Sequence, residues 1–267
     1  MSAARLPEKL QPFGPVALVT GASDGIGRAT AVALAAAGFD LLLVARRKDV
    51  LSALAADLSK AHGVQADVFA ADLGVAGEVD ALARASKEFD IGTAVLAAGF
   101  GTSGPLVSAD VETERDMIRV NCEAVLQLSQ ALGQRMIQRK CGQLVLFGSL
   151  VGFQGAAFAA NYSATKAYVQ TLAEGLAQEL KPSGVRVVSV APGPVKSGFE
   201  ARADMTLGSA DSAETVAAGI LRSIGKSGTI RPGFLSKVLG YNLGIAPRWL
   251  RLRIMSRIMS GLSNHKV

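Results

Sequence analysis

A chain of 267 residues can bury one large core, and α/β folds of this length commonly stay undivided, so a single domain is expected. The net charge of +6 does not argue for nucleic-acid binding. Nine of the 28 basic residues and none of the 22 acidic ones lie after Glu214, which leaves residues 1–214 with 19 basic against 22 acidic side chains.

Residues 1–13 read as an N-terminal extension without the apolar core of a secretory signal, and nowhere do about eighteen uncharged apolar residues run together. Cys122 and Cys141 have neither metal-ligand spacing nor partner histidines, so free thiols, no metal and a reducing, cytoplasmic setting are expected. Val16 to Thr20 is then a short apolar strand that ends in the glycine turn Gly21 to Gly27. Arg28 to Ala37 is an alanine-rich helix closed by Gly38. The next strand, Phe39 to Val44, stops at Ala45-Arg46-Arg47 and leads into a helix over Asp49 to Ala61, with Gly63 as its stop. A third strand over Val64 to Ala70 ends at Asp72-Leu73. The alternation continues with a helix over Val75 to Glu88, a strand at Thr93 to Ala97, a long helix from about Glu112 to Arg139 and a strand at Gln143 to Phe147. A helix carrying Tyr162 runs to Leu180, and a strand at Val185 to Val190 closes at Ala191-Pro192-Gly193. Continuous apolar strands alternating with helices predict one α/β domain over residues 14–230, a doubly wound parallel sheet covered by helices on both faces. Residues 231–267 form a basic, apolar extension and not a second domain.

Gly21, Gly25 and Gly27 between a strand and a helix suit close approach to a pyrophosphate, with Ser23, Asp24 and Ile26 in the same turn and Thr20 and Ser23 supplying hydroxyls. Asp24 weighs against this reading, because a carboxylate repels phosphate. At the end of the second strand an acid would take a ribose 2′-OH, whereas Arg46 and Arg47 suit a 2′-phosphate, so NADP(H) is expected over NAD(H). Arg46 is read as the direct ligand and Arg47 as stacking or supporting. Asp72 either accepts from the adenine amino group, with Leu73 lining the ring, or caps the next helix.

Tyr162 and Lys166 lie one helical turn apart on one face, and Ser149 follows a strand. An ammonium so placed favours the phenolate and eases proton exchange with a reacting oxygen. Together with Asn121 and Pro192-Gly193, these motifs resemble the short-chain dehydrogenase/reductase family over roughly residues 14 to 200. The resemblance implies a single Rossmann-like domain and hydride transfer between nicotinamide and a carbonyl or alcohol carbon. It also implies Tyr162 as general acid or base, Lys166 on the nicotinamide ribose and lowering the tyrosine pKa, Ser149 on the substrate oxygen, and Asn121 holding a relay water. Pro192, Gly193, Val195 and Ser197 would hold the carboxamide. Where the family usually has two asparagines, this chain has Leu96 and Ala97 before Ala98 and Gly99, whose backbone can still approach the adenine ribose. Some loss of stability or cofactor affinity is expected from that departure.

Substrate contacts are expected from loops at Phe100 to Val107, Leu150 to Phe158 and Gly198 to Glu214. Phe100, Phe153, Phe158, Phe199, Met205 and Leu207 make them apolar, which points to a hydrophobic alcohol or ketone. The tail around Trp249, with Arg248, Arg251, Arg253 and Arg257, is open to four readings: packing on its own domain or a dimer mate, peripheral membrane contact, a partner groove, or a lid. A homodimer or homotetramer through residues 112–139 and 162–180 follows from the resemblance. The rival reading is a non-catalytic dinucleotide-sensing or scaffolding protein, which the missing asparagines favour and the Asn121, Ser149, Tyr162, Lys166 set opposes.

Overall fold

The computed structural model describes residues 6–196, 198, 210–233, 236–238, 240 and 246–262. Ser197, Phe199, Met205 and Leu207 lie outside the described residues. Among those described, seven parallel strands form one sheet in the order β3-β2-β1-β4-β5-β6-β7. They are β1 (Val16–Thr20), β2 (Asp40–Ala45), β3 (Ala66–Ala70), β4 (Ile91–Leu96), β5 (Gly142–Phe147), β6 (Val185–Val190) and β7 (Gly228–Ile230). The helices are α1 (Gly25–Ala36), α2 (Lys48–His62), α3 (Ala76–Ala85), α4 (Val111–Ile118), α5 (Ala124–Arg139), α6 (Ala160–Glu179), α7 (Ala213–Ser223) and α8 (Arg248–Leu262).

Successive strand residues face opposite layers, so the continuous apolar runs feed two cores. On one side Val19, Leu41, Leu43 and Val188 pack with Leu34 of α1, Leu51 of α2 and Ile220 of α7. On the other, Leu18, Leu42, Leu96 and Leu144 pack with Leu82 of α3, Leu128 and Leu132 of α5 and Val169 of α6. Each fully buried leucine contributes roughly 1.5–3 kcal/mol relative to exposure, which makes this sheet a rigid base for its carboxyl edge. The order of strands reverses between β1 and β4, where open α/β sheets leave a crevice.

Three features depart from the expected elements. The long helix over 112–139 is interrupted by a π turn at Arg119–Glu123, between α4 and α5. Neither α7 nor β7 was marked by the sequence pattern; β7 has only three residues, and side chains add to its pairing with β6. Gln143 Oε1 accepts from Gly225 N at 2.8 Å, and Gln170 Nε2 donates to Thr229 Oγ1 at 2.7 Å. Residues Glu8–Phe13 form a 3₁₀ turn beneath the sheet, where the Phe13 carbonyl accepts from Thr93 Oγ1 at 2.7 Å.

Candidate active site

At the end of β1 the chain turns into α1. A Cβ on Gly27 would fall against the backbone carbonyls of Gly21 and Thr20, so only glycine lets the first turn of α1 close onto the strand. Asp24 caps α1, its Oδ1 accepting from Gly25 N at 2.7 Å, which accounts for an acid in a turn suited to phosphate. Arg47 Nη2 donates to the carbonyl and hydroxyl of Ser23 at 3.2 and 3.1 Å, so Ser23 braces the turn against the end of β2. Arg46 is exposed and pairs with Asp72 at 3.6 Å. Asp72 Oδ1 also accepts from Gly74 N at 2.9 Å, so this carboxylate holds the turn leading to α3.

Thr20 Oγ1 accepts from Ala98 N at 3.0 Å and so bridges β1 to the chain leaving β4. Thr20→Val should leave that N–H without its acceptor and lower stability by about 1–3 kcal/mol, read as a shift in the urea midpoint. An unchanged midpoint would show that the Ala98 amide needs no protein partner.

Asn121 sits in the π turn and is 1% exposed. Its carboxamide accepts from Phe100 N at 3.1 Å and donates to Phe100 O at 2.9 Å and Thr165 Oγ1 at 3.1 Å. The irregular turn thus aims a polar group from a helix interior at the edge of β4 and at α6. A Cβ on Gly99 would come within 2.9 Å of Asn121 Oδ1 and 3.5 Å of Lys166 Nζ, which places both groups directly behind the backbone at Gly99. Lys166 Nζ donates to Phe147 O at 3.0 Å and stands 5.7 Å from the centre of the Tyr162 ring.

Burial pushes the Tyr162 phenol up to about 12, with a Ser149 hydrogen bond working the other way. Burial also pulls the Lys166 ammonium down to about 8, opposed by Cys122. The phenol therefore stands above its ordinary value, not below it as expected with Lys166 beside it: loss of hydration outweighs the Ser149 hydrogen bond at Tyr162 and the Cys122 charge at Lys166. Cys122 is itself buried and its thiol is pushed up to about 11, while Cys141 is half-buried; both are free.

A cavity of about 560 Å³ joins these parts. Gly21, Ser23, Asp24, Gly25, Ile26, Gly27, Arg46, Arg47, Asp72 and Leu73 border one part, while Ala98, Gly99, Ser149, Tyr162, Pro192, Gly193 and Val195 border the rest. Among the expected substrate loops, Phe100, Thr102, Leu150 and Val151 reach it. Phe153 and Phe158 are not among the lining residues, and Phe153 stacks under the Arg231 guanidinium at 4.8 Å. The sequence reading missed Met255, Ile258 and Met259 of α8, which also line the cavity. It missed Glu114 as well, 9% exposed, whose carboxylate accepts from Thr102 Oγ1 at 2.6 Å and Asn161 Nδ2 at 2.7 Å, tying the chain after β4 to the residue before Tyr162. No helix among the described residues is long and apolar enough to cross a membrane.

A parallel sheet with a glycine turn at β1 and a Ser, Tyr and Lys cluster at its carboxyl edge defines a dinucleotide-dependent oxidoreductase architecture. The model of the short chain dehydrogenase family matches residues 15–207, and the chain belongs to that family. A very-long-chain 3-oxoacyl-CoA reductase of Phaeosphaeria nodorum is 37% identical over 195 residues, 69% of this chain and 57% of that relative. The chain spans a little over half the length of the fungal reductases it matches. An uncharacterized oxidoreductase of Bacillus subtilis is 36% identical over 68% of this chain and 76% of its own length. Among solved structures, a short-chain dehydrogenase from Sphingobium yanoikuyae in complex with NADPH superposes with a TM-score of 0.79 at 32% identity, covering 87% of this chain and 95% of that one. A bulky-bulky ketone specific alcohol dehydrogenase from Comamonas testosteroni gives 0.76 at 28% identity, covering 88% and 96%.

Proposed function

We propose that this chain is an NADP(H)-dependent oxidoreductase that interconverts a carbonyl and an alcohol on a hydrophobic substrate of acyl or cyclic type. One observation carries the reading: Ser149 and Tyr162, hydrogen-bonded to each other, border a cavity whose far end is rimmed by Arg46 and Arg47. The residues fit a dinucleotide, since past Gly25, whose N–H Asp24 holds, the first turn of α1 at Ile26 and Gly27 presents backbone N–H groups that no earlier helical turn can satisfy, and the glycine at 27 keeps the turn tight. Gly21, Gly25, Ile26 and Gly27 would hold its pyrophosphate, Arg46 its 2′-phosphate, Asp72, Leu73, Ala98 and Gly99 its adenosine, and Lys166, Pro192, Gly193, Val195 and Ser197 its nicotinamide end. When bound, the cofactor supplies or takes up hydride. Ser149 would donate to the substrate oxygen and fix its position, and Tyr162 would give it a proton in reduction and take one in oxidation. Asn121 and Lys166 hold polar groups behind Gly99, on the side from which that proton is replaced.

The bulky-ketone enzyme and the acyl-CoA reductases among the relatives support an apolar substrate. The scaffolding alternative, which the missing asparagines favour, is opposed by the Asn121, Ser149, Tyr162 and Lys166 set gathered at one edge of the sheet. Exposed Leu126 and Ile137 on α5 and Tyr168 on α6 support assembly as a homodimer or homotetramer through these helices.

The test is a fluorescence titration with NADPH and NADH of wild type and Arg46→Ala. NADPH should bind more tightly than NADH, and Arg46→Ala should weaken NADPH by roughly tenfold or more while leaving NADH alone. Equal binding of both nucleotides by the wild type would reject the NADP preference.

A further inference from the structure

Helix α8 lies beyond the stretch matched by the family model, yet it closes over the reacting groups. Met255 and Met259 are 4% and 3% exposed. Met259 packs with Ala156 and Ala159, and Tyr162 and Val151 lie against this small cluster. Leu252 Cδ2 comes within 3.6 Å of where a Cβ on Gly155 would stand, so α8 rests on the chain between β5 and α6 along its length. Trp249, 62% exposed, and the exposed Arg253 and Arg257 belong to the same helix. The helix therefore has buried methionines toward the cavity and exposed residues elsewhere on its surface.

We propose that α8 is the roof of the substrate compartment, and that Met255 and Met259 set the size of substrate that reaches Ser149 and Tyr162. Methionine suits such a wall, since an unbranched thioether side chain moulds itself to irregular apolar shapes. The roof also keeps water from the phenol, consistent with the burial that raises its pKa. This inference rests on the carbonyl-reducing reading given above for the nature of the ligand, though the position of the helix does not depend on it.

The experiment compares wild type, Met259→Trp, and the double variant Met255→Ala with Met259→Ala. With NADPH as reductant, the ratio of kcat/KM for benzophenone over acetone should rise roughly tenfold in the double variant and fall by a similar factor in Met259→Trp. NADPH affinity, measured by nicotinamide fluorescence, should be unchanged in both and serves as the control for folding. An activity-independent readout is calorimetry: benzophenone titrated into wild-type or double-variant protein saturated with NADP⁺ should bind more tightly to the double variant. The same calorimetry with Met259→Trp should show weaker binding than wild type. If wild type binds NADPH but turns over no ketone, the carbonyl-reducing reading fails while the binding measurements still judge the roof. Unchanged benzophenone binding in both variants would overturn the roof.

Discussion

Tyr162→Phe is expected to lower kcat for ketone reduction by roughly 10²–10⁴-fold while NADPH binding stays within about a factor of two. The substitution removes one oxygen and leaves the ring that packs against Met259, Ala156 and Ala159, so the fold has little reason to change. What disappears is the hydroxyl hydrogen-bonded to Ser149 that can exchange a proton with a reacting oxygen in the cavity. With the phenol pushed up to about 12, it is protonated at every pH at which the protein would be assayed, the form that reduction needs. The wild-type rate of reduction should therefore show no break from Tyr162 below about pH 10. A variant that keeps more than about a tenth of wild-type kcat would remove Tyr162 from the reaction and leave Ser149 as its proton donor to be tested.

Lys166→Met should produce two opposed effects, loss of turnover by roughly 10²–10³-fold and a gain in stability. The ammonium is 7% exposed and its pKa is pulled from 10.5 to about 8 by burial, so near neutral pH the fold carries a charge it would rather lose. In the unfolded chain Lys166 holds its proton until about pH 10.5, whereas in the folded state it releases it near 8. Between these values the unfolded state binds more protons, and wild-type stability rises with pH. Cys122 acts in the opposite direction above its ordinary 9.0, because the folded thiol keeps its proton up to about 11. The comparison is therefore best made at about pH 7 and about pH 8.5, over which Lys166 should add on the order of 1 kcal/mol to wild-type stability. Urea unfolding of Lys166→Met should start from a higher midpoint at pH 7 and lack that increment. A lower midpoint at neutral pH would mean that the hydrogen bond to Phe147 O outweighs the burial of the charge.

Wherever function depends on short-range spacing, the sequence could be read directly. The glycine turn, the arginines ending β2, and Tyr162 and Lys166 on one helix face are local patterns, and the run of apolar strands between helices was enough to recover the doubly wound sheet. Chain separation hid the rest. Nothing near Asn121 in sequence announces a π turn, because the turn is held by Phe100 and Thr165, which lie on other elements. The hydroxyl of Thr20 reaches the Ala98 amide only because β1 lies beside β4. The contacts of Asp72 with Gly74 and Arg46 come from the fold and not from spacing. The pKa order of Tyr162 and Lys166 likewise follows from how deeply each is buried, which no spacing reveals. Most telling is α8, whose mixed arginines and apolar residues left four roles open. Packing of Met255 and Met259 over the cavity selects its inner face, since the gain from burying apolar surface depends on which surface the rest of the chain presents, and that is settled only when the whole chain is folded.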